Sequence, residues 1–282
     1  PILRSTQLEY MDIPGIDAGH LKVGAEVPLG TLNYRSNPKL VSSAAHFLHK
    51  PEVLCEAFHS IGWDMTIQDM KWITDWLAVQ GINLIVPHGF FYTTDGLTKH
   101  DAPPSSFWQN PYWEHYDQLA QYTSHLCARL SGGYAPAKIL VLDPVTSLWT
   151  RYPGDPLTEQ LLEDWQYLQE KLLRHHWEFH IPDPQLLTRG RLEGSRLKLG
   201  DNPFEVIILP PTTNLEERAA EVLLAAIEAG VHVVFLGTLP FEQIEPGAKG
   251  VEEIAALFEV NPCQPGQDYL AATAGGNWFH RG

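Results

Sequence analysis

The sequence predicts an α/β protein whose sheets are parallel, and three observations carry that prediction. Short, nearly continuous apolar runs recur at residues 53–58, 82–88, 139–142, 206–209 and 231–236. Such runs mark strands buried on both faces. Longer stretches with apolar residues along one helical face separate them. Strands alternating with helices at this spacing pair in parallel through right-handed crossovers.

The first unit reads as follows. Residues 39–49 (KLVSSAAHFLH) form a helix, and residues 53–58 (VLCEAF) a strand interrupted by one acid. Residues 62–65 (GWDM) make a loop. Thr66 with Asp69 three positions on has capping-box spacing, so a helix follows to about Gln80, with Gly81 as its stop. Met70, Ile73, Trp76 and Leu77 share one face of it. Residues 82–88 (INLIVPH) are the next strand, and residues 8–12 (LEYMD) are expected to add another strand upstream. Residues 90–113 read as a long, aromatic, Pro-rich loop, and loops of that length in compact domains are usually functional. A helix then runs from about Tyr112 to Leu130, stopped by Gly132-Gly133.

The second unit opens with a strand at 139–142 and a loop at 143–149 (DPVTSLW). An amphipathic helix at 157–175 and strands at 179–182 and 206–209 come next. A helix at 215–229 and a strand at 231–236 complete the pattern. This is the pattern of a doubly wound, three-layer α/β sandwich of flavodoxin-like type. The Gly-, Pro- and Ala-rich stretch 131–138 (SGGYAPAK) separates the units, giving domains of 1–134 and 135–282.

Composition narrows the chemistry. A length of 282 residues suits about two domains, and 44% hydrophobic with 19% charged residues is ordinary globular composition. A net charge of −15 repels phosphate backbones and anionic lipid, so neither nucleic acid nor a membrane surface is expected as a partner. Cys55, Cys127 and Cys263 are far apart and without metal-ligand spacing, which predicts free thiols rather than a disulfide framework or zinc site. The loop after the first strand of the second unit has Pro144 where a phosphate cradle needs glycine N–H groups, so no flavin or other organic cofactor is expected. The chain opens at Pro1 without Met and closes at Gly282 after an apolar stretch. Both ends read as cuts through a longer protein, with any export signal for a periplasmic or extracellular location outside this stretch. Association with further copies of itself stays open.

Glu56 is the leading candidate for chemistry. It lies near the carboxyl end of an apolar strand, where a buried carboxylate costs several kcal/mol unless it is paired or used. A structural glutamate bonded to a neighbour is the alternative. Glycoside hydrolysis needs two carboxylates across the scissile bond, roughly 5–5.5 Å apart for retention and about 6.5–9.5 Å for inversion. Aromatic surfaces that pack on sugar rings are the other requirement. Trp63, Tyr92 and Trp108 are candidate subsite residues, among aromatics concentrated in two post-strand loops. His88 ends the following strand at the level of Glu56, placed to orient it or to bond a sugar hydroxyl, or else it is a satisfied structural histidine. Asp12 and Asp17 (MDIPGID) follow the expected upstream strand and suit substrate or a Ca²⁺ ion, or else simply form a turn.

The stretch 42–92 resembles the end of the catalytic barrel in α-L-rhamnosidases of glycoside hydrolase family 106. The residues that carry the resemblance are Cys55-Glu56-Ala57-Phe58, Gly62-Trp63-Asp64, Met70-Lys71-Trp72 and Val86-Pro87-His88-Gly89-Phe90-Phe91-Tyr92. Pro103-Pro104-Ser105 and residues 143–149 are also similar to the family's pattern. The resemblance implies the C-terminal part of a (β/α)8 barrel followed by the flavodoxin-like domain. It further implies an inverting mechanism, calcium assistance and an oligo- or polysaccharide substrate of plant or microbial origin. Glu56 then matches the general base, while the partner acid has no matching position here and is expected upstream, so the 282 residues alone should hydrolyse nothing. Trp278-Phe279-His280-Arg281 resembles the lead-in to a β-sandwich. A retaining β-galactosidase with an appended α/β domain is the rival enzyme reading. A carbohydrate-binding or assembly module without turnover is the rival of another class.

Overall fold

The computed structural model of the protein describes residues 5–17, 37–152, 154–237, 239–247 and 249–257, together with the backbone of 278–281. The chain divides into two compact units: Leu8–Tyr134 form the first, and the chain from Ala135 onward, with the residues before Leu8, forms the second.

In the first unit three parallel strands lie side by side in the order β1 (Gly15–Asp17), β2 (Leu54–Ala57), β3 (Leu84–Pro87). Helix α1 (Asn37–Phe47) lies between the first two strands in sequence and α2 (Ile67–Val79) between the second and third; α3 (Tyr116–Leu130) follows. Val41 and Ala44 of α1, Cys55 and Ala57 of β2, and Met70, Ile73 and Leu77 of α2 are all fully buried. Each large side chain removed from water this way contributes about 1.5–3 kcal/mol. Thr66 closes the capping box in both directions, its hydroxyl accepting from the Asp69 N–H and its own N–H donating to the Asp69 carboxylate at 2.8 Å. Gly81 ends the helix at φ 96, with its α-carbon so close to Ser42 that a Cβ would stand 2.7 Å from the serine Cβ.

The upstream strand corrects the expectation at residues 8–12. Ser5–Tyr10 form a 3-10 helix, and the strand is Gly15–Asp17. The Pro-Gly pair that reads as a turn instead starts the strand. Pro14 offers its carbonyl to the Leu54 N–H at 2.9 Å, and Gly15 lets the Leu54 side chain lie against its backbone.

In the second unit, β4 (Ile139–Val141), α4 (Val145–Trp149), α5 (Pro156–Arg174), β5 (Phe179–His180) and α6 (Pro184–Leu187) come first. An antiparallel meander follows, β6 (Arg191–Leu192), β7 (Leu197–Leu199) and β8 (Asn202–Phe204). Then come β9 (Val206–Leu209), β10 (Asn214–Leu215), α7 (Glu217–Glu228), β11 (His232–Leu236), β12 (Glu242–Gln243), α8 (Gly250–Leu257) and β13 (Trp278–Arg281). The main sheet runs β13-β11-β9-β4-β5, parallel except for β13, and β10 pairs with β12 in a small parallel ladder. Counted in chain order from β4, the main sheet has the 2-1-3-4-5 order of one doubly wound class. Leu140, Phe179, Ile207, Val233 and Phe235 fill its interior.

Two segments depart from the sequence reading. Residues 145–149 are helical rather than loop, with Pro144 at the N-cap position. Residues 191–204 form a meander that leaves no sequence signal, because strands of two or three residues are too short to show a period; Gly200, at φ 60, makes its tight turn. Trp278–Arg281 pairs antiparallel with β11, Leu236 opposite Trp278. Among the described residues no helix is long and apolar enough to cross a membrane.

Candidate active site

Glu56 owes its position to strand alternation. In β2 Cys55 and Ala57 are buried, while Leu54 and Glu56 turn to a half-open face. The parallel register sets Asp17 beside Glu56 and Glu56 beside Val86, so three strand ends stand in a row. The His88 N–H donates to the Ala57 carbonyl at 2.8 Å, extending the ladder past Pro87. Residues two apart share a face, so His88 joins Val86 and Glu56. Its Nδ1 donates to Glu56 Oε1 at 2.8 Å, with the two side chains 32% and 42% exposed. The carboxylate is therefore oriented yet open to a solute, which is what a general base requires.

Asp17 closes the row. Its carboxylate accepts a hydrogen bond from Nε2 of His59, a residue the sequence reading missed. His59 lies three positions past Glu56, beyond the strand, where a chain normally points away. Phe58, at φ 79 with its ring buried, and Ser60, at φ 59, turn the backbone sharply and bring the imidazole back over the strand ends. Sequence gives little hint of this, because a phenylalanine at positive φ is uncommon. The rings of His59 and His88 meet edge-on at 5.4 Å.

Asp12 is not part of this group. It precedes β1 and so lies toward the amino end of the strand, whereas Asp17, Glu56 and His88 lie at the carboxyl ends. The expectation for it rested on the misplaced upstream strand.

The loop after β3 is ordered by its own polar groups. The buried Ser105 hydroxyl accepts from the Phe91 and Phe107 N–H groups at 3.3 and 3.2 Å and donates to Gln109 Oε1 at 2.8 Å. Gln109 Nε2 donates in turn to the Phe91 carbonyl at 2.8 Å, and Asn110 Nδ2 to the Ser105 carbonyl at 3.0 Å. The His88–Gly89 and Pro103–Pro104 peptides within this region are cis. Of the aromatics, Phe90, Phe107, Trp113 and Tyr116 pack on one another with centroids 5.0–6.2 Å apart, edge-to-face except for the stacked Trp113–Tyr116 pair. Tyr92 and Trp108 instead project outward, 93% and 60% exposed. Trp63 is half-buried, its indole N–H donating to the Lys99 carbonyl at 2.8 Å.

A cavity of about 320 Å³ lies against β3, lined by Phe58, Leu84, Ile85, Tyr116, Leu119 and Cys127. Burial there pushes the Tyr116 phenol up to about 12, and burial also raises the Cys127 thiol above its usual value. Cys55 and Cys127 are free thiols; Cys263 lies outside the described residues.

Ca²⁺ takes about six to eight oxygens, and the carboxylates of Asp17 and Glu56 are each bonded to a histidine. Among the described residues no group of three or more His, Cys, Asp or Glu is placed to hold a metal ion.

No family model matches the chain, and no curated protein matches it. Solved structures do. A rhamnosidase from Novosphingobium sp. PP1Y superposes with a TM-score of 0.62 at 17% identity, over 96% of this chain and 24% of its own. A catalytic mutant of Gan42B, a GH42 β-galactosidase from G. stearothermophilus, gives 0.57 at 11% identity, over 79% of this chain and 32% of its own. A β-galactosidase from Rahnella sp. R3 gives 0.54 at 14% identity, over 77% and 31%. The chain thus spans between a quarter and a third of the length of these proteins. At these identities the likeness concerns architecture: the chain has a glycoside hydrolase-like fold.

Proposed function

We propose that this chain is part of an inverting glycoside hydrolase of the α-L-rhamnosidase type, acting on oligo- or polysaccharide, with Glu56 as general base. The observation that carries the reading is the Glu56–His88 pair, an oriented and accessible carboxylate at the carboxyl ends of adjacent parallel strands. That edge is where barrel enzymes gather their catalytic groups. In this reading Leu8–Tyr134 contribute the C-terminal part of a (β/α)8 barrel. The strand order of the second unit supports a flavodoxin-like domain.

The Glu56 carboxylate takes a proton from a water molecule as the water attacks the anomeric carbon. His88 holds the carboxylate by Oε1, leaving Oε2 for the water. The departing glycosidic oxygen is protonated by an acid in another part of the protein. Tyr92 and Trp108, exposed on the loop after β3, supply faces for sugar rings, and Trp63 with Asp17 borders the same strand ends. Calcium assistance calls for oxygen ligands beyond the two carboxylates that these strand ends supply.

The test is Glu56→Gln in the full-length enzyme on p-nitrophenyl α-L-rhamnoside, with the product anomer followed by NMR. A loss of about 10³-fold or more in kcat with inversion is expected, the amide being unable to accept the proton. Turnover within tenfold of wild type would remove Glu56 from the base role. A retained anomer would favour a β-galactosidase-like double displacement, and glycan binding without turnover a binding module.

A further inference from the structure

We propose that Asp17 and His59 are a positioning pair that sets the Glu56 carboxylate by acting through the ring of His88. The inference rests on the reading of Glu56 as general base, and it adds two residues that never touch the reacting atoms.

His59 is held at both ring nitrogens. Nε2 donates to the Asp17 carboxylate, and Nδ1 accepts from the Ser60 hydroxyl at 3.0 Å. Its side chain is only 13% exposed, in contrast to the 42% of Glu56. The backbone on both sides of it, at Phe58 and Ser60, is left-handed. Such conformations persist only where surrounding contacts enforce them, and they cluster at functional sites. Here the enforcing contact is the buried Phe58 ring.

What the fixed imidazole does is confine His88. The rings of His59 and Phe91 both meet the His88 ring edge-on, at 5.4 and 6.1 Å with interplanar angles of 67° and 87°. Two ring contacts limit rotation of His88 about χ1 and χ2, and the orientation they leave puts Nδ1 at 2.8 Å from Glu56 Oε1. The line Asp17–His59–His88–Glu56 thus draws on all three strand ends, and each member fixes the next. Displacing a catalytic group by about 1 Å costs on the order of 10²-fold in rate, so a remote pair can govern turnover while leaving substrate affinity alone.

The experiment compares His59→Phe, Asp17→Ala, Asp17→Asn, the His59→Phe/Asp17→Ala double variant and Glu56→Gln in the full-length enzyme. The substrate is p-nitrophenyl α-L-rhamnoside, and a crystal structure of His59→Phe accompanies the kinetics. His59→Phe and Asp17→Ala should each lower kcat about 10–100-fold with KM within about twofold. The double variant should be no worse than either single one, since the two act as a unit. Asp17→Asn, whose Oδ1 still accepts from His59, should stay within about threefold of wild type. In the His59→Phe structure the His88–Glu56 hydrogen bond should be longer or broken. A fall in melting temperature with kcat unchanged, or an unmoved His88, overturns the proposal and leaves the pair structural. Loss of activity in Asp17→Asn while His59→Phe stays active also overturns it, by making Asp17 a ligand for substrate or metal. Should His59→Phe fail to fold, Asp17→Ala, at a carboxylate 56% exposed, carries the same kinetic test. An active Glu56→Gln sinks the general-base reading alone, and the His59→Phe structure still decides whether the pair positions His88.

Discussion

Replacing Ser105 by alanine should unlatch the loop that carries Tyr92 and Trp108. The hydroxyl is fully buried and serves two N–H donors and one amide acceptor at 3.3, 3.2 and 2.8 Å. A net hydrogen bond is worth about 1 kcal/mol, and a buried donor left without a partner costs about 1–3. Two of the three bonds are long, which puts the loss at about 2 kcal/mol rather than at the sum of full values. That figure corresponds to about a 30-fold rise in the population of the opened loop. Gln109, freed from Ser105, would also hold the Phe91 carbonyl less firmly. Amide hydrogen exchange is the assay, read at Phe91 and Phe107, with Leu77 of the buried core as the internal control. Exchange should accelerate by about 30-fold at the two loop amides and stay constant at Leu77. Unchanged protection at Phe91 and Phe107 would refute the idea that Ser105 is the loop's organising group.

Three other perturbations have clear signs. Gly81→Ala should destabilise the first unit by about 2 kcal/mol in urea unfolding, because the residue sits at φ 96 and a Cβ would stand 2.7 Å from that of Ser42. Tyr116 is neutral in the folded chain to about pH 12 but ionises from its ordinary value of 10.0 once unfolded. Its contribution is therefore complete below pH 10 and lost as pH rises toward 12, about 1–2 kcal/mol after allowance for partial exposure, and Tyr116→Phe should flatten that stretch of the stability–pH curve. Burial raises the Cys127 thiol, so in a Cys263→Ser background iodoacetamide should label Cys127 several-fold more slowly at pH 8 than an unstructured cysteine peptide, and urea should abolish the difference.

The parts of the fold legible in sequence are those with long, local signals. The Thr66–Asp69 box and the stripe from Met70 to Leu77 mark α2 without any tertiary information, and the apolar run at 82–86 marks β3. Signals fail where context overrides them. Gly15 begins a strand because Leu54 packs on it, although Pro14-Gly15 reads as a turn. At the site the same distinction holds. Glu56 and His88 show themselves by ending adjacent strands, and register alone brings them together. His59 is invisible because its direction depends on the left-handed Phe58, a conformation fixed by burial of the ring rather than by residue type. The aromatics of the 90–113 loop were legible as a group, but which of them pack and which face outward depends on how Ser105 folds the loop.

The antiparallel strand β13 has a bearing on how the protein is made. Its partner β11 ends at Leu236, and the residues that cover that strand's free edge begin only at Trp278. At ribosomal speeds of about 5–20 residues per second, several seconds pass between the two. During that interval the four parallel strands already emerged present a bare row of N–H and C=O groups along β11, a ready template for a strand from another nascent chain. His232, exposed at the head of β11, is the one polar side chain of that strand, which otherwise reads Val-Val-Phe-Leu. Translation pauses between residues 236 and 278 should therefore lower the yield of soluble protein more than equal pauses earlier in the gene.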